Sequence, residues 1–193
     1  MMDYEACRRM LEERLKPSRY RHSLGVADTA AALARRFGVD EAVARLAGLL
    51  HDAAREFPTE TMIDEAEKRG IPIGPIERAL PLLLHGPLGA FRLVEIYGVE
   101  DEAIRRAVSR HTVGGAGMTP LDKIIYFADM IEPNRNYPGV AGLRRLADSA
   151  SLDEMTLAGL NRSLIFVMEK GGLIHPDTVT ARNEILFTGD GAR

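Results

Sequence analysis

The chain has 193 residues, a formal net charge of −3, 46% hydrophobic and 27% charged residues. This length and composition predict one globular domain, exclude a mainly disordered chain, and, without a dense basic block, argue against a nucleic-acid partner. The longest apolar runs, such as Leu164–Met168, are five residues, whereas a membrane span needs about 18, so we expect neither a membrane anchor nor a secretory signal.

Apolar residues recur at spacings of three and four, as in Leu121, Ile124, Ile125 and Ala128, which is typical of amphipathic helices. The sequence therefore predicts an all-α bundle. The predicted helices span residues 3–16, 19–37, 40–55, 59–69, 75–85, 87–97, 101–111, 119–132, 140–149, 151–170 and 176–186.

Several predicted helix ends carry a local signal. Asp40 and Thr119 lie at the N-cap positions of their predicted helices, and Thr59 follows a proline. Ser151 to Glu154 has the pattern of a capping box. Pro81 has no amide hydrogen to bond back by one turn, so it should kink or end a helix and leave His85 near a helix end.

The adjacent pair His51 and Asp52 follows the apolar run Ala47–Leu50. Neighbouring residues on a helix point about 100° apart, so both side chains reach one cation only if it lies beside the helix in a cleft between helices. Taken alone, such a pair is more often an aspartate near a helix end with a solvated histidine beside it than a metal site.

Only five histidines occur, and three of the first four (His22, His51, His85 and His111) lie in or just after apolar stretches, where an unpaired imidazole is costly. Asp129 interrupts a further apolar stretch. Each histidine alone could be a hydrogen-bonded core residue, and Asp129 could cap a helix or pair with an arginine. Together they favour a site for Fe, Mn, Co or Zn, and six ligands suffice for two ions. His175, before Pro176, fits a helix start better than a ligand.

The order of these residues is similar to that in the HD-domain metal-dependent phosphohydrolases and, within them, in the YqeK-like symmetrical diadenosine tetraphosphate hydrolases. The resemblance covers roughly residues 18 to 184. Its segments are Arg21–Val26, Ala47–Asp52, Leu84–Pro87, His111–Gly114, Tyr126–Arg135, Ile174–Pro176 and Ala181–Asn183. One departure is Arg55, where many relatives carry lysine; the charge is kept, but the two are not equivalent as phosphate donors.

The resemblance implies a ligand set. His22, His51, Asp52 and Asp129 would hold one ion, and His85 and His111 a second, with Asp52 bridging and iron as the expected metal. Asp52, His85 and His111 would also be catalytic. A metal-bound hydroxide would attack an inner phosphorus of diadenosine tetraphosphate and give two ADP. No serine or cysteine nucleophile is needed, and Cys7 is expected to be a small buried apolar residue.

A tetraphosphate also needs cationic contacts away from the metals. Arg21, Arg55, Lys123 and Arg135 are the candidates, although each could instead be a solvated charge on a helix face. Arg135 is the best placed, since it lies in the motif just after Asp129.

The resemblance leaves other functions open. They are another HD-type nucleotide phosphohydrolase (a nucleotidase, a triphosphohydrolase or a cyclic-dinucleotide phosphodiesterase), a non-catalytic metal-dependent nucleotide sensor, and a structural helical module. We expect one domain over residues 1–193, with the motifs in about 18–135 and helices of 140–186 packed on them. The predicted partner is a small nucleotide, a homodimer is left open, and a single cysteine fits the cytoplasm.

Overall fold

The computed structural model describes residues 3–188, which are helical and contain no strand. The α-helices are α1 Tyr4–Arg14, α2 Pro17–Phe37, α3 Glu41–Leu50, α4 Met62–Lys68, α5 Pro75–Ala79, α6 His85–Glu95, α7 Glu102–Arg110, α8 Pro120–Ile131, α9 Val140–Ser149, α10 Leu152–Glu169 and α11 Pro176–Thr188. Short 3-10 helices span Ala53–Glu56, Thr59–Thr61 and Pro81–Leu84. The all-α prediction is confirmed.

The predicted caps are present. Asp40 accepts hydrogen bonds from the amides of Ala42 and Val43 at the start of α3. Thr119 caps α8, and Ser151 with Glu154 forms the capping box of α10. These polar side chains satisfy amide groups that have no partner inside a helix, which explains why their positions mark helix starts.

Two predicted helices end earlier than expected. The helix predicted over 40–55 stops at Leu50, and a 3-10 helix begins at Ala53. The apolar run before His51 hides this break, because no glycine or proline follows Leu50 until Pro58. The break places His51 and Asp52 at a helix end rather than within a helix, so both side chains can turn toward one cleft.

The second early end lies near Pro81. The helix predicted over 75–85 ends at Ala79, a 3-10 helix follows from Pro81, and α6 begins at His85 instead of at residue 87. The expected effect of Pro81 is confirmed. His85 accordingly opens a helix, with its side chain free to face neighbouring elements.

The core lies among α2, α3, α7 and α8. Gly48 of α3 lies so close to α2 that a Cβ there would approach the Ala27 Cα to 3.0 Å. Helix α8 carries fully buried residues on several sides, including Ile124 and Phe127, and packs against α2, α3, α7, α9 and α10. Cys7 is fully buried in the same core, as predicted.

The C-terminal helices pack on α8 through a smaller cluster that joins Tyr126 of α8, Leu160 of α10, and Ala181 and Ile185 of α11. In residues 3–188, no helix combines the length and apolar character needed to cross a bilayer.

Candidate metal centre

Six imidazole and carboxylate side chains from five helices or helix ends meet at the floor of one cleft. His22 Nε2 lies 3.2 Å from His51 Nε2, and His85 Nε2 lies 3.0 Å from His111 Nε2. Asp52 and Asp129 lie among these rings. All four histidines are at most 8% exposed. The residues predicted as ligands are thus brought together, although they are spread over more than 100 positions of the chain.

Three of the histidines are oriented by the same backbone device. The Nδ1 atoms of His51, His85 and His111 lie 2.8, 2.5 and 2.7 Å from the carbonyl oxygens of Gly48, Leu82 and Val108, each three residues earlier. A carbonyl oxygen only accepts, so Nδ1 carries the hydrogen in each ring. Each neutral ring therefore presents the lone pair of Nε2 to the cleft, which is the form that binds a metal.

His22 is oriented by a carboxylate instead. Its Nδ1 donates to Glu132 Oε1 at 3.0 Å, and the other oxygen of Glu132 accepts from the backbone and side-chain amides of Asn134 at 2.7 and 2.9 Å. Glu132 is 1% exposed. This carboxylate–histidine arrangement fixes the ring and makes Nε2 more basic, as in many metal sites.

The distances between facing Nε2 atoms indicate whether a cation fits between the histidine rings. Within each pair of rings, His22 with His51 and His85 with His111, two Nε2 lone pairs point at each other about 3 Å apart. Two acceptors at this distance repel unless a cation or a proton lies between them. The buried donor set of imidazoles and carboxylates therefore fits a borderline divalent transition metal.

Burial makes added protons a poor alternative at three of the rings. It lowers the pKa of His51 and His111, and it lowers that of His85 to about 4. At His22, burial opposes protonation, but hydrogen bonds to Asp129 and Glu132 outweigh it and raise the pKa.

The two aspartates supply negative charge to the centre. Burial disfavours their charged forms, but the neighbouring imidazoles outweigh it and hold the pKa of Asp52 and Asp129 well below the ordinary value. Two trios have donor atoms within 4.8 Å of one another. They are His22, His51 and Asp129, and His51, Asp52 and His111. His85 adjoins the second trio, with Nε2 3.3 Å from Asp52 Oδ1.

Three arginines line the cleft above this floor, whose volume is about 440 Å³. Arg19 donates to Asp52 Oδ2 at 3.0 Å, and Arg135 donates to the backbone oxygen of Asp129 at 2.7 Å and also pairs with its carboxylate. Arg55 is half-buried, and within residues 3–188 its guanidinium makes no side-chain hydrogen bond or ion pair. Burial and the nearby Arg19 lower the pKa of Arg55, and the opposing charges of Asp52 and Asp129 do not offset them.

The predicted phosphate contacts divide into two groups. Arg55 and Arg135 line the cleft, as expected. Arg21 is exposed and does not line it, because on α2 the face of His22 continues to Arg19, one turn before, and not to its direct neighbour. Lys123 pairs with Asp153 and lines a separate cavity. Arg21 and Lys123 therefore lie outside the cleft, and their contact with phosphate stays a prediction.

Sequence reasoning missed three residues of the site. Arg19 lies three residues before His22 and Glu132 three residues after Asp129, so helical spacing could have found both. Thr112 lies next to His111, and its hydroxyl is 3.2 Å from Nε2 of both His85 and His111; no spacing rule points to it. His175 lies outside the cluster, before α11, where its Nδ1 accepts from the amide of Asp177.

Comparison with known proteins agrees with this geometry. The family model described as HD domain matches residues 19–134, a segment that contains all six convergent side chains. The chain belongs to the HD-domain family. HD domains depend on metal ions, and two groups of side chains in the described residues could hold one.

Relatives of this HD domain extend over most of the chain. The symmetrical bis(5'-nucleosyl)-tetraphosphatase of Bacillus subtilis is 37% identical over 94% of this chain and 97% of its own. The protein of the same name from Staphylococcus aureus is 34% identical over 94% of each chain. A crystal structure from Clostridium acetobutylicum, described as a predicted HD superfamily hydrolase involved in NAD metabolism, superposes with a TM-score of 0.92 at 38% identity over 98% of this chain and 100% of its own.

Proposed function

We propose that this protein is a metal-dependent hydrolase that cleaves diadenosine tetraphosphate symmetrically into two molecules of ADP. The observation that carries the proposal is its similarity, over 94% of its length, to a symmetrical tetraphosphatase. The cleft supports it independently, because a polyanionic substrate suits an arginine-lined wall above a cluster of metal-binding side chains.

His22, His51, Asp52 and Asp129 would hold one divalent ion, and His85, His111 and the shared Asp52 a second. Imidazole and carboxylate donors suit iron, which we expect first, and also manganese, cobalt or zinc. When bound, such ions supply a lowered pKa for water and a positive charge beside the phosphoryl oxygens. The backbone bonds to Nδ1 and the Glu132 contact hold the rings ready for this role before any ion arrives.

Arg55 would be the principal phosphate contact. Its half-buried guanidinium lines the cleft and makes no ion pair with any residue of 3–188, so a phosphate oxygen would satisfy it. Arg19 and Arg135 would contribute from either side. Both pair with carboxylates of the cluster in this structure, and a bound polyphosphate would share these two cations.

Asp52 would orient the attacking water, since its carboxylate lies between the two histidine pairs and stays ionised. The hydroxyl of Thr112 lies where it can donate to a phosphoryl oxygen next to His85 and His111. The departing ADP leaves as an anion of a weakly basic phosphate, so the site needs no strong general acid. His85 and His111 would act through the metal, as their low exposure requires.

Product analysis tests the proposal. Protein supplied with ferrous or manganous ions and diadenosine tetraphosphate should release ADP as the sole early product, in a ratio of two per substrate consumed. Equal early amounts of AMP and ATP would mean asymmetric cleavage and would contradict the proposed reaction. Turnover of mononucleotides or cyclic dinucleotides in place of the tetraphosphate would favour another HD-type hydrolase.

A further inference from the structure

A second cavity opens beside the metal-binding cleft. Its volume is about 320 Å³, and mainly apolar atoms line it. The two cavities share four residues, Met130, Arg135, Ser163 and Phe166, so they form one continuous groove. This size lies at the lower end for small-molecule sites and suits a fragment rather than a whole dinucleotide.

Two aromatic rings form its walls. Tyr137 is held in place, since its hydroxyl donates to the backbone oxygen of Met130 at 2.9 Å. Phe166 is 51% exposed on α10, although a large apolar ring gains from burial. Rings presented in this way are typical surfaces for stacking a nucleobase, because every base has a flat π-face.

Polar groups stand at the edges of the cavity. Arg162 of α10 lines it with a side chain 25% exposed, and Arg135 lies at the junction with the metal cleft. The hydroxyl of Ser163 lies 2.9 Å from the hydroxyl of Tyr126, at the same junction. The groove thus runs from metal ligands, past a cation and a hydroxyl, to an apolar aromatic end.

We propose that this aromatic cavity binds one of the two nucleosides of the dinucleoside polyphosphate, with its base against Tyr137 and Phe166 and its phosphates beside Arg135. The inference rests on the proposed function, because symmetric cleavage puts the reacting phosphorus at the centre of the substrate and a nucleoside on each side of it. The order of groups along the groove matches the order of phosphate, ribose and base along one half of that substrate.

Kinetics of Phe166→Ala test the cavity. Loss of one stacking ring should raise KM for diadenosine tetraphosphate by roughly tenfold with kcat nearly unchanged, because the contact binds ground state and transition state alike. Phe166→Tyr should restore KM. Inhibition by inorganic tetraphosphate, which has no nucleoside, should be the same in all variants. Ile165→Ala is the matched control, since Ile165 is 44% exposed on the same helix and lines neither cavity.

Photolabelling with 8-azido-ADP locates the base without any turnover. Labelled peptides should come from residues 130–138 or 160–168, and Phe166→Ala should reduce this label while Ile165→Ala keeps it. A label found solely elsewhere, or a KM for Phe166→Ala within about twofold of wild type, would overturn the inference. So would a dimer that Phe166→Ala dissociates, which would assign the cavity to a contact between two copies. If the wild-type protein does not hydrolyse diadenosine tetraphosphate, the proposed function fails and the label alone decides the nucleoside site.

Discussion

Glu132 orients His22 as backbone carbonyls orient the other three histidines. Its two oxygens accept from His22 on one side and from the amides of Asn134 on the other. A carboxylate gives the ring more basicity than a carbonyl would, so we expect Glu132 to affect metal affinity without direct contact with the ion. Helical spacing places Glu132 one turn after Asp129, but its partner, Nδ1 of His22, is known only from the structure.

We expect Glu132→Gln to weaken metal binding by about 10- to 100-fold, the range found when partners of metal-binding histidines are removed. The amide has one oxygen, so it cannot accept from His22 and from Asn134 at once. Metal titration followed by calorimetry measures the change, with the exposed Glu13→Gln as control. Equal affinities in both variants would show that Glu132 only packs.

Gly25 lies on α2 where Glu132 approaches. A Cβ there would fall 2.3 Å from Glu132 Oε2 and 3.3 Å from Asn134 Nδ2. Helix propensity alone favours alanine over glycine by about 1 kcal/mol, but overpacking a buried site costs about 1 to 3 kcal/mol. The clash should win here, because the Glu132 carboxylate is held by three hydrogen bonds and cannot move freely.

Gly25→Ala should therefore lower both the melting temperature and the metal affinity. The matched control is Gly142→Ala on α9, where the nearest atom to a new Cβ is the end of Arg145 at 3.8 Å. That control should be neutral or slightly stabilising. If Gly25→Ala had the same melting temperature and the same metal affinity as Gly142→Ala, Glu132 would not be held in the position that the structure shows.

At the scale of elements, helix ends decide where the ligands stand. His51 and His111 follow the last residues of α3 and α7, His85 opens α6, and each ring bonds a carbonyl three residues earlier. The helices themselves follow from apolar spacing and polar caps, and these were predictable. The break after Leu50 was not, because the apolar run continues to the histidine and the bond that ends the helix comes from the imidazole itself.

The same limit applies to the arginines. A basic residue on a helix has no mark in the sequence that separates a cleft contact from a solvated charge. Arg55, three residues after Asp52, was a reasonable candidate from the sequence and lines the cleft. Lys123 was an equally reasonable candidate, but it pairs with Asp153 away from the cleft. Which face of a helix turns toward the cleft depends on packing against other helices, so it emerges only with the fold.

Helix caps should affect stability without affecting the site. Asp101 caps α7 by accepting from the amides of Ala103 and Ile104 at 2.9 and 3.1 Å. Asp101→Ala should cost about 1 kcal/mol and lower the melting temperature by about 2 to 4 °C. Metal content and kcat should stay at wild-type values, because His111 is held at the other end of α7. If Asp101→Ala lost metal as well as thermal stability, the whole of α7, and not the local bond to Val108, would position His111.

At the scale of the whole molecule, the six convergent side chains come from α2, α6 and α8 and from the ends of α3 and α7. No short segment holds enough donors to bind an ion alone, so the donor set exists only in the folded chain. Ions that bind the folded chain and not the unfolded one must stabilise it by mass action. Two pairs of buried imidazoles that face each other at about 3 Å should make the ion-free centre less stable than the ion-bound one.

The most direct measurement counts metal ions per chain in the wild type and in Asp52→Ala and His85→Ala, with hydrolysis rates on the same samples. The wild type should hold up to two ions, and chelation should abolish hydrolysis until metal is returned. Asp52→Ala should lose most metal and most activity, since Asp52 is the residue proposed to contribute to both positions. His85→Ala should keep one ion while its rate falls by orders of magnitude. Fewer than about 0.1 ion per wild-type chain, with hydrolysis unaffected by chelator, would contradict a metal centre at these residues.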